Sequence, residues 1–210
     1  MFKTILNNVS SEIVEKKSKF ICNVYHIESV EEAENNLADV RKKFHDARHN
    51  CFAYRIAEGD ISKSSDDGEP SGTAGVPMLN ILTGRNLSNI LVVVTRYFGG
   101  ILLGTGGLVR AYSLATTEAL DNAELIEEEI GLRASFNVDY KDLDEVKYHM
   151  KNREILISDL KYDEKVSVIV EGTEEKIIQI KNGKLSDRIM LKNVDILGKK
   201  YVIINKNGKK

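Results

Sequence analysis

The sequence predicts an α+β protein of two domains, residues 1–128 and 129–210, and three observations carry that prediction. Strand-like alternations and helix-like periodicities are interleaved along all 210 residues, a length that suits one large domain or two small ones at roughly 100–200 residues each. Glycine is uneven: nine of the 15 fall between Asp66 and Gly107, with both prolines, Pro70 and Pro77. Charge also changes along the chain. From Gly131 to Lys210 there are 17 Lys+Arg and 13 Asp+Glu, net +4, which leaves 13 and 19, net −6, for Met1 to Ile130. The acidic stretch Glu124-Leu-Ile-Glu-Glu-Glu-Ile130 marks the change and sets the boundary near Glu127 to Gly131.

In the first domain, Glu12 to Ile27 places Phe20, Cys22 and Val24 on one side of an alternation and reads as a strand. Ser29 and Glu32 form a capping-box pattern ahead of Val30, Ala33, Leu37, Val40 and Phe44, spaced as one buried helical stripe. His49 to Ala57 alternates Phe52, Tyr54 and Ile56 against small residues as a second strand, and Ile90 to Phe98 is a continuous apolar run, as in a strand buried on both faces. Thr105 is positioned to cap a helix through Leu108, Tyr112, Ala115 and Ala119. In the second domain the order is strand (Leu132 to Val138), helix (Asp142 to Arg153, Asp142/Glu145 cap), strand (Glu154 to Lys161), strand (Lys165 to Glu171), helix (Thr173 to Lys181) and strand. That βαββαβ order is the ferredoxin-like plan. Two segments compete for its last strand, Arg188 to Leu197 and Lys200 to Asn205.

Composition excludes several classes. At 42% hydrophobic and 30% charged, with 2 prolines, the chain is neither disordered nor collagenous. A net charge of −2 gives no whole-chain field for nucleic acid or membrane, so any basic patch is local. The longest apolar run, Ile90 to Val94, is far short of the roughly 18 residues of a membrane span. With two cysteines, Cys22 and Cys51, and no apolar leader, the expected compartment is the cytoplasm.

Two segments carry candidate chemistry. Ser65-Asp-Asp-Gly-Glu-Pro-Ser-Gly-Thr-Ala-Gly-Val-Pro77 places Asp66, Asp67 and Glu69 within four residues, able to hold a hard cation or supply a base; alternatively, these side chains satisfy local backbone N–H groups. Ser71 and Thr73 are hydroxyls that would need a base nearby. Thr95-Arg-Tyr-Phe-Gly-Gly-Ile-Leu-Leu-Gly-Thr-Gly-Gly-Leu-Val-Arg110 reads as strand, glycine-rich turn and helix start, a geometry that suits an anion or, equally, close strand–helix packing. It is neither a P-loop nor a dinucleotide fingerprint. His45 and His49 with Cys51 have zinc-like spacing, but the helical pattern ends near Phe44, so the expectation is no metal and no cofactor.

Asp66-Asp-Gly-Glu-Pro-Ser-Gly-Thr-Ala-Gly75, Val92-Val-Val-Thr-Arg-Tyr-Phe-Gly-Gly100 and Gly104-Thr-Gly-Gly-Leu-Val-Arg-Ala-Tyr112, preceded by His49-Asn-Cys-Phe-Ala-Tyr54, closely resemble the IMPACT/YigZ family over nearly the whole chain. The resemblance implies an N-terminal domain like a ribosomal small-subunit protein domain, with a left-handed βαβ crossover, and a C-terminal domain similar to the fifth domain of elongation factor G. It also implies a translation-linked role. Eukaryotic members of the family regulate the amino-acid-starvation response by competing for a scaffold that activates a kinase on initiation factor 2. Two positions depart from the family: Val76, directly after Gly75, and Leu102, two after Gly100, stand where lysine is common, each removing a potential phosphate contact.

The function expected is a non-enzymatic binding protein tied to translation and stress response, engaging RNA, the ribosome or a translation-associated protein. The net +4 of the C-terminal part and the basic tail of Lys199, Lys200, Lys206, Lys209 and Lys210 agree with it. The alternatives are an enzyme acting on a phosphorylated or nucleotide substrate and a protein–protein adaptor. The candidate ligand-binding set is Arg48, His49, Asp66, Asp67, Glu69, Ser71, Thr73, Thr95, Arg96, Gly99, Gly100, Gly104, Gly106 and Gly107. The acidic loop and the glycine turn are expected to line one cleft, with His49 and Arg96 at its wall. No membrane contact is expected, and the oligomeric state is left open.

Overall fold

A computed structural model describes residues 1–183, 185–186, 188–191 and 193–206. They divide into two compact units, Phe2–Ile126 and Glu127–Lys206.

In the N-terminal unit the short strand β1 (Phe2–Ile5) precedes β2 (Val9–Glu15), β3 (Ser18–His26), α1 (Val30–Lys43), β4 (His49–Ile56), β5 (Ile61–Ser65), α2 (Gly75–Gly84), β6 (Ile90–Tyr97) and α3 (Gly104–Asp121). Five strands form a sheet in the order β2-β3-β6-β4-β5. Because β3 and β4 each pair antiparallel with β6, they run parallel to one another, and α1 is the crossover that joins them. The alternation along β6 assigns its two faces. Ile90, Val92 and Val94 pack with Met78 and Leu82 of α2 and with Leu108, Tyr112 and Ala115 of α3. Leu91 and Val93 pack with Ala33, Leu37 and Val40 of α1. The sheet is therefore covered on both sides, the reason β6 reads as an unbroken apolar run.

Several local expectations are corrected. Glu12 to Ile27 is not one strand but the hairpin β2–β3, in which Lys16 and Lys17 take φ of 46° and 65°; such a turn usually signals itself with Asn-Gly, and Lys-Lys does not. Thr105 does not cap α3: Leu103 occupies the N-cap position, with no side-chain bond. Ser29 Oγ does accept from Glu32 N at 3.1 Å, as expected. Strands β1 and β5 and helix α2 were not foreseen.

The C-terminal unit contains the greater part of β7 (Leu125–Val138), then α4 (Leu143–Asn152), β8 (Leu156–Tyr162), β9 (Val166–Thr173), α5 (Glu174–Asn182) and β10 (Asp195–Lys206). In its sheet β9 lies between β7 and β8, and β10 pairs with β7. Its core joins Phe136, Val146, Met150, Val168, Val170, Ile177 and Ile180. The acidic stretch before Gly131 is part of β7, so the change in charge falls within a strand and not in a linker. Asp142 stands at the N-cap of α4 without a side-chain bond, while Glu145 accepts from Ser186 Oγ at 2.6 Å. The last strand takes the second candidate segment with the end of the first. Lys209 and Lys210 of the basic tail lie outside the described residues. No helix among the described residues is long and apolar enough to cross a membrane.

Candidate functional site

The acidic loop between β5 and α2 folds back onto one face of the sheet. Residues of alternate parity on β4 and β6 choose the face: His49 pairs with Arg96 and Cys51 with Val94, and Cys51 and Val94 belong to the core formed with α2 and α3. Asn50 and Thr95 point the other way, where Thr95 Oγ1 donates to Asn50 Oδ1 at 2.7 Å. Thr95 is thus buried on the opposite face from Arg96 and does not join the site.

Each carboxylate of the loop is held by the protein's own donors. Asp66 caps the start of α2, accepting from the backbone N–H groups of Gly72 (2.8 Å), Ala74 (2.9 Å) and Gly75 (2.9 Å). Burial pushes its pKa up, but the N–H bonds from Gly72, Gly75, Ala74 and Thr73 together outweigh burial and hold it below the ordinary value. Gly75 is required here, since a Cβ would sit 2.7 Å from Ser65 N. Asp67 accepts from Asn50 N at 2.7 Å and from Arg41 Nη2 at 2.9 Å. Its carbonyl accepts from His49 Nδ1 at 2.9 Å, which places the imidazole proton on Nδ1.

Glu69 is the most enclosed of the three. Its Oε1 accepts from Arg96 Nη1 at 2.6 Å and from Tyr112 Oη at 2.8 Å. Arg96 is flanked by the rings of Phe20 and Phe98, its guanidinium carbon 5.5 and 5.7 Å from their centroids, a cation–π arrangement. Tyr112 meets Phe20 edge-on at 5.2 Å. Cys51 Sγ lies 2.9 Å from the Asp66 carbonyl and 3.3 Å from Tyr112 Oη. Burial, and beyond it the charges of Glu69, Asp67 and Asp66, push the Cys51 thiol up to about 12. Burial first, then Cys51 and Glu69, raise Tyr112, so the phenol keeps its proton and donates it to Glu69.

The remaining candidates fall in other places. Arg48 and Ser71 are exposed, and Thr73 is buried with its hydroxyl donating to Pro70 O at 2.6 Å. Gly99 lies against the β2–β3 turn: its N–H donates to Ser18 Oγ at 3.1 Å, and a Cβ there would meet the Lys17 carbonyl carbon at 2.0 Å. Gly100, Gly104 and Gly106 are exposed around the start of α3. Gly107 lines a groove of about 200 Å³ together with Lys16, Leu103 and Arg110. No residue of the acidic loop lines that groove, so it is not the single cleft expected of the two segments. Tyr112 of α3 connects the glycine-rich helix to the acidic loop. In the sequence Tyr112 stands on the apolar stripe of α3, and Cys51 stands among the small residues of β4 at zinc-like spacing from His45 and His49; the hydroxyl on a buried stripe was the available signal for Tyr112. Among the described residues, no three His, Cys, Asp or Glu side chains converge as a metal-holding group.

The Impact N-terminal domain family matches residues 16–120, from the β2–β3 turn to the end of α3. The chain is 40% identical over 181 residues to the IMPACT family member YvyE of Bacillus subtilis, covering 82% of this chain and 83% of that one. It is 38% identical over 179 residues to an IMPACT family member of Haemophilus influenzae, covering 82% and 85%. A crystal structure of a hypothetical protein aligns with a TM-score of 0.62 at 33% identity, over 84% of this chain and 87% of that one.

Proposed function

Because this chain belongs to the IMPACT family, we propose that it is a non-catalytic binding and regulatory protein of translation, engaging RNA or a ribosome-associated partner. The observation that carries the reading is the engagement of all three acidic-loop carboxylates. Asp66 is spent on the start of α2, Asp67 on Asn50 and Arg41, and Glu69 on Arg96 and Tyr112. A general base or metal ligand needs a lone pair free to face a substrate. Here both oxygens of Asp66 and of Asp67, and Oε1 of Glu69, already accept bonds from the protein's own donors, which favours a scaffold that shapes a surface over a reaction centre.

The same reading takes the N-terminal unit as a ribosomal-protein-like fold with a left-handed β3–α1–β4 crossover. It takes the C-terminal unit, with its βαββαβ order, as ferredoxin-like in the manner of the fifth domain of elongation factor G, and places the protein in the cytoplasm. Fold likeness alone does not establish function, so the test is direct. The full chain is sedimented with ribosomes and titrated with single-stranded RNA at about 50 and 200 mM salt, where phosphate-driven binding weakens steeply. Binding to either at the lower salt supports the proposal; its absence from both overturns it. A rise in melting temperature with a nucleotide and a divalent cation together, but with neither alone, would favour the enzyme instead.

A further inference from the structure

We infer that the groove between the β2–β3 turn and the first turns of α3 is a docking site for an acidic protein segment carrying an aliphatic anchor. The inference rests on reading this protein as a binding module and names what one of its faces takes. Three observations converge there. The groove, about 200 Å³, is lined by Leu103, Ala111 and Leu114 with Lys16, Arg110 and Glu15, room for one or two aliphatic side chains and not for a folded domain. Its two cations are unclaimed: among the described residues Lys16 and Arg110 form no ion pair, nor does the adjacent Lys17, and against them stands the single lining carboxylate of Glu15. Leu102, adjoining the groove, is 83% exposed, and Phe98, Ile101 and Val14 are exposed as well.

An apolar floor with a cationic margin complements a helix or extended segment that offers a leucine-like side chain flanked by carboxylates. Single-stranded nucleic acid fits less well. It is bound through stacked aromatic rings, and of the five exposed apolar side chains here, Val14, Phe98, Ile101, Leu102 and Leu114, Phe98 is the one aromatic. Glu15 would also face the phosphates. The walls are set before any partner arrives, because Gly99 lies against the Lys16–Lys17 turn and bonds Ser18; pre-organisation of this kind lowers the cost of binding.

The test is selection of a random displayed peptide library on the full chain. Enriched peptides are expected to carry Leu, Ile or Val with Asp or Glu within a turn of it. Their binding should weaken by about tenfold or more in the K16E/R110E variant, as reversal of complementary charges does, and also in L114S, an exposed position whose change leaves the fold intact. No enrichment, or enriched peptides that bind K16E/R110E unchanged, overturns the inference. RNA binding lost in K16E/R110E, with no peptide enrichment, would assign the groove to RNA and likewise overturn it. Ribosome sedimentation of the same proteins separates the two claims: peptide binding without ribosome or RNA binding leaves the groove standing and removes the translation reading, and the converse removes the groove.

Discussion

Arg96 on β6 donates to Glu69 of the acidic loop at 2.6 Å, and the two side chains are only 8% and 3% exposed. Taking both charges out of water is costly, and what offsets it is the second bond that Tyr112 donates to Glu69 and the two aromatic rings against the guanidinium. Losing one partner strands the other. Glu69→Ala or Arg96→Ala should each cost about 3–5 kcal/mol of stability, and Glu69→Met with Arg96→Met far less than the sum of the single losses. Urea unfolding of the four proteins checks this, and additive losses would show that the pair is not a unit.

Asp66 should make the N-terminal unit sensitive to acid. Burial opposes its ionisation, but the N–H groups at the start of α2 hold its folded-state pKa below the ordinary 3.8. A depressed carboxyl contributes stability that is present above the unfolded value and is lost as pH falls through the folded one. Asp66→Asn is therefore expected to lose about 0.5–2 kcal/mol at pH 7, the range of a lost helix cap, with the gap to wild type closing below pH 3.8. Parallel loss of stability by both proteins on acidification would contradict the assignment.

Gly99 admits no side chain, since a Cβ would fall 2.0 Å from the Lys17 carbonyl carbon. Gly99→Ala must push the β2–β3 turn away. The expected cost is about 1–3 kcal/mol, as for other overpacked sites, read as a drop in melting temperature of roughly 2–4 °C per kcal/mol in a chain of this size. An unchanged melting temperature would mean that the turn and β6 are not in register as described.

Cys51 should be chemically silent. With its thiol pushed up to about 12, almost no thiolate forms near neutral pH, and the thiolate is the reactive species. Alkylation by iodoacetamide at pH 8 should proceed at the rate of global unfolding and become fast in denaturant. Rapid labelling of the native protein would refute the enclosure of Cys51 beneath the acidic loop.

Much of the fold could be read from the sequence because it follows from periodicity. The stripe of Ala33, Leu37 and Val40 and the unbroken run of Ile90 to Val94 state their burial outright. Helix α2 could not be read in that way: its first turn is Gly75-Val-Pro77, and what starts it is a carboxylate nine residues earlier, Asp66, reaching back from the loop. The hairpin was hidden because two lysines occupy the left-handed turn positions. At the site, the motif named Asp66, Asp67, Glu69 and Arg96 together, yet their partners could not be read. Cys51, among the small residues of its strand, and Tyr112, on an apolar helical stripe, lie 61 residues apart, and nothing in the sequence links them until the sheet brings them to one face.

The position of β6 in the sheet has a consequence for how the chain assembles as it is synthesised. β3 and β4 precede β6 but have no bond to each other; both wait for it. Until residue 97 has emerged, the nascent chain can pair these strands natively only as two separate hairpins, β2–β3 and β4–β5, each with an unpaired edge and an uncovered apolar face. The central strand then enters between them, and α3 follows at once to cover one side. Assembly of this unit is thus delayed to its last third, and a pause in synthesis before Ile90 would leave both hairpins open to wrong pairing.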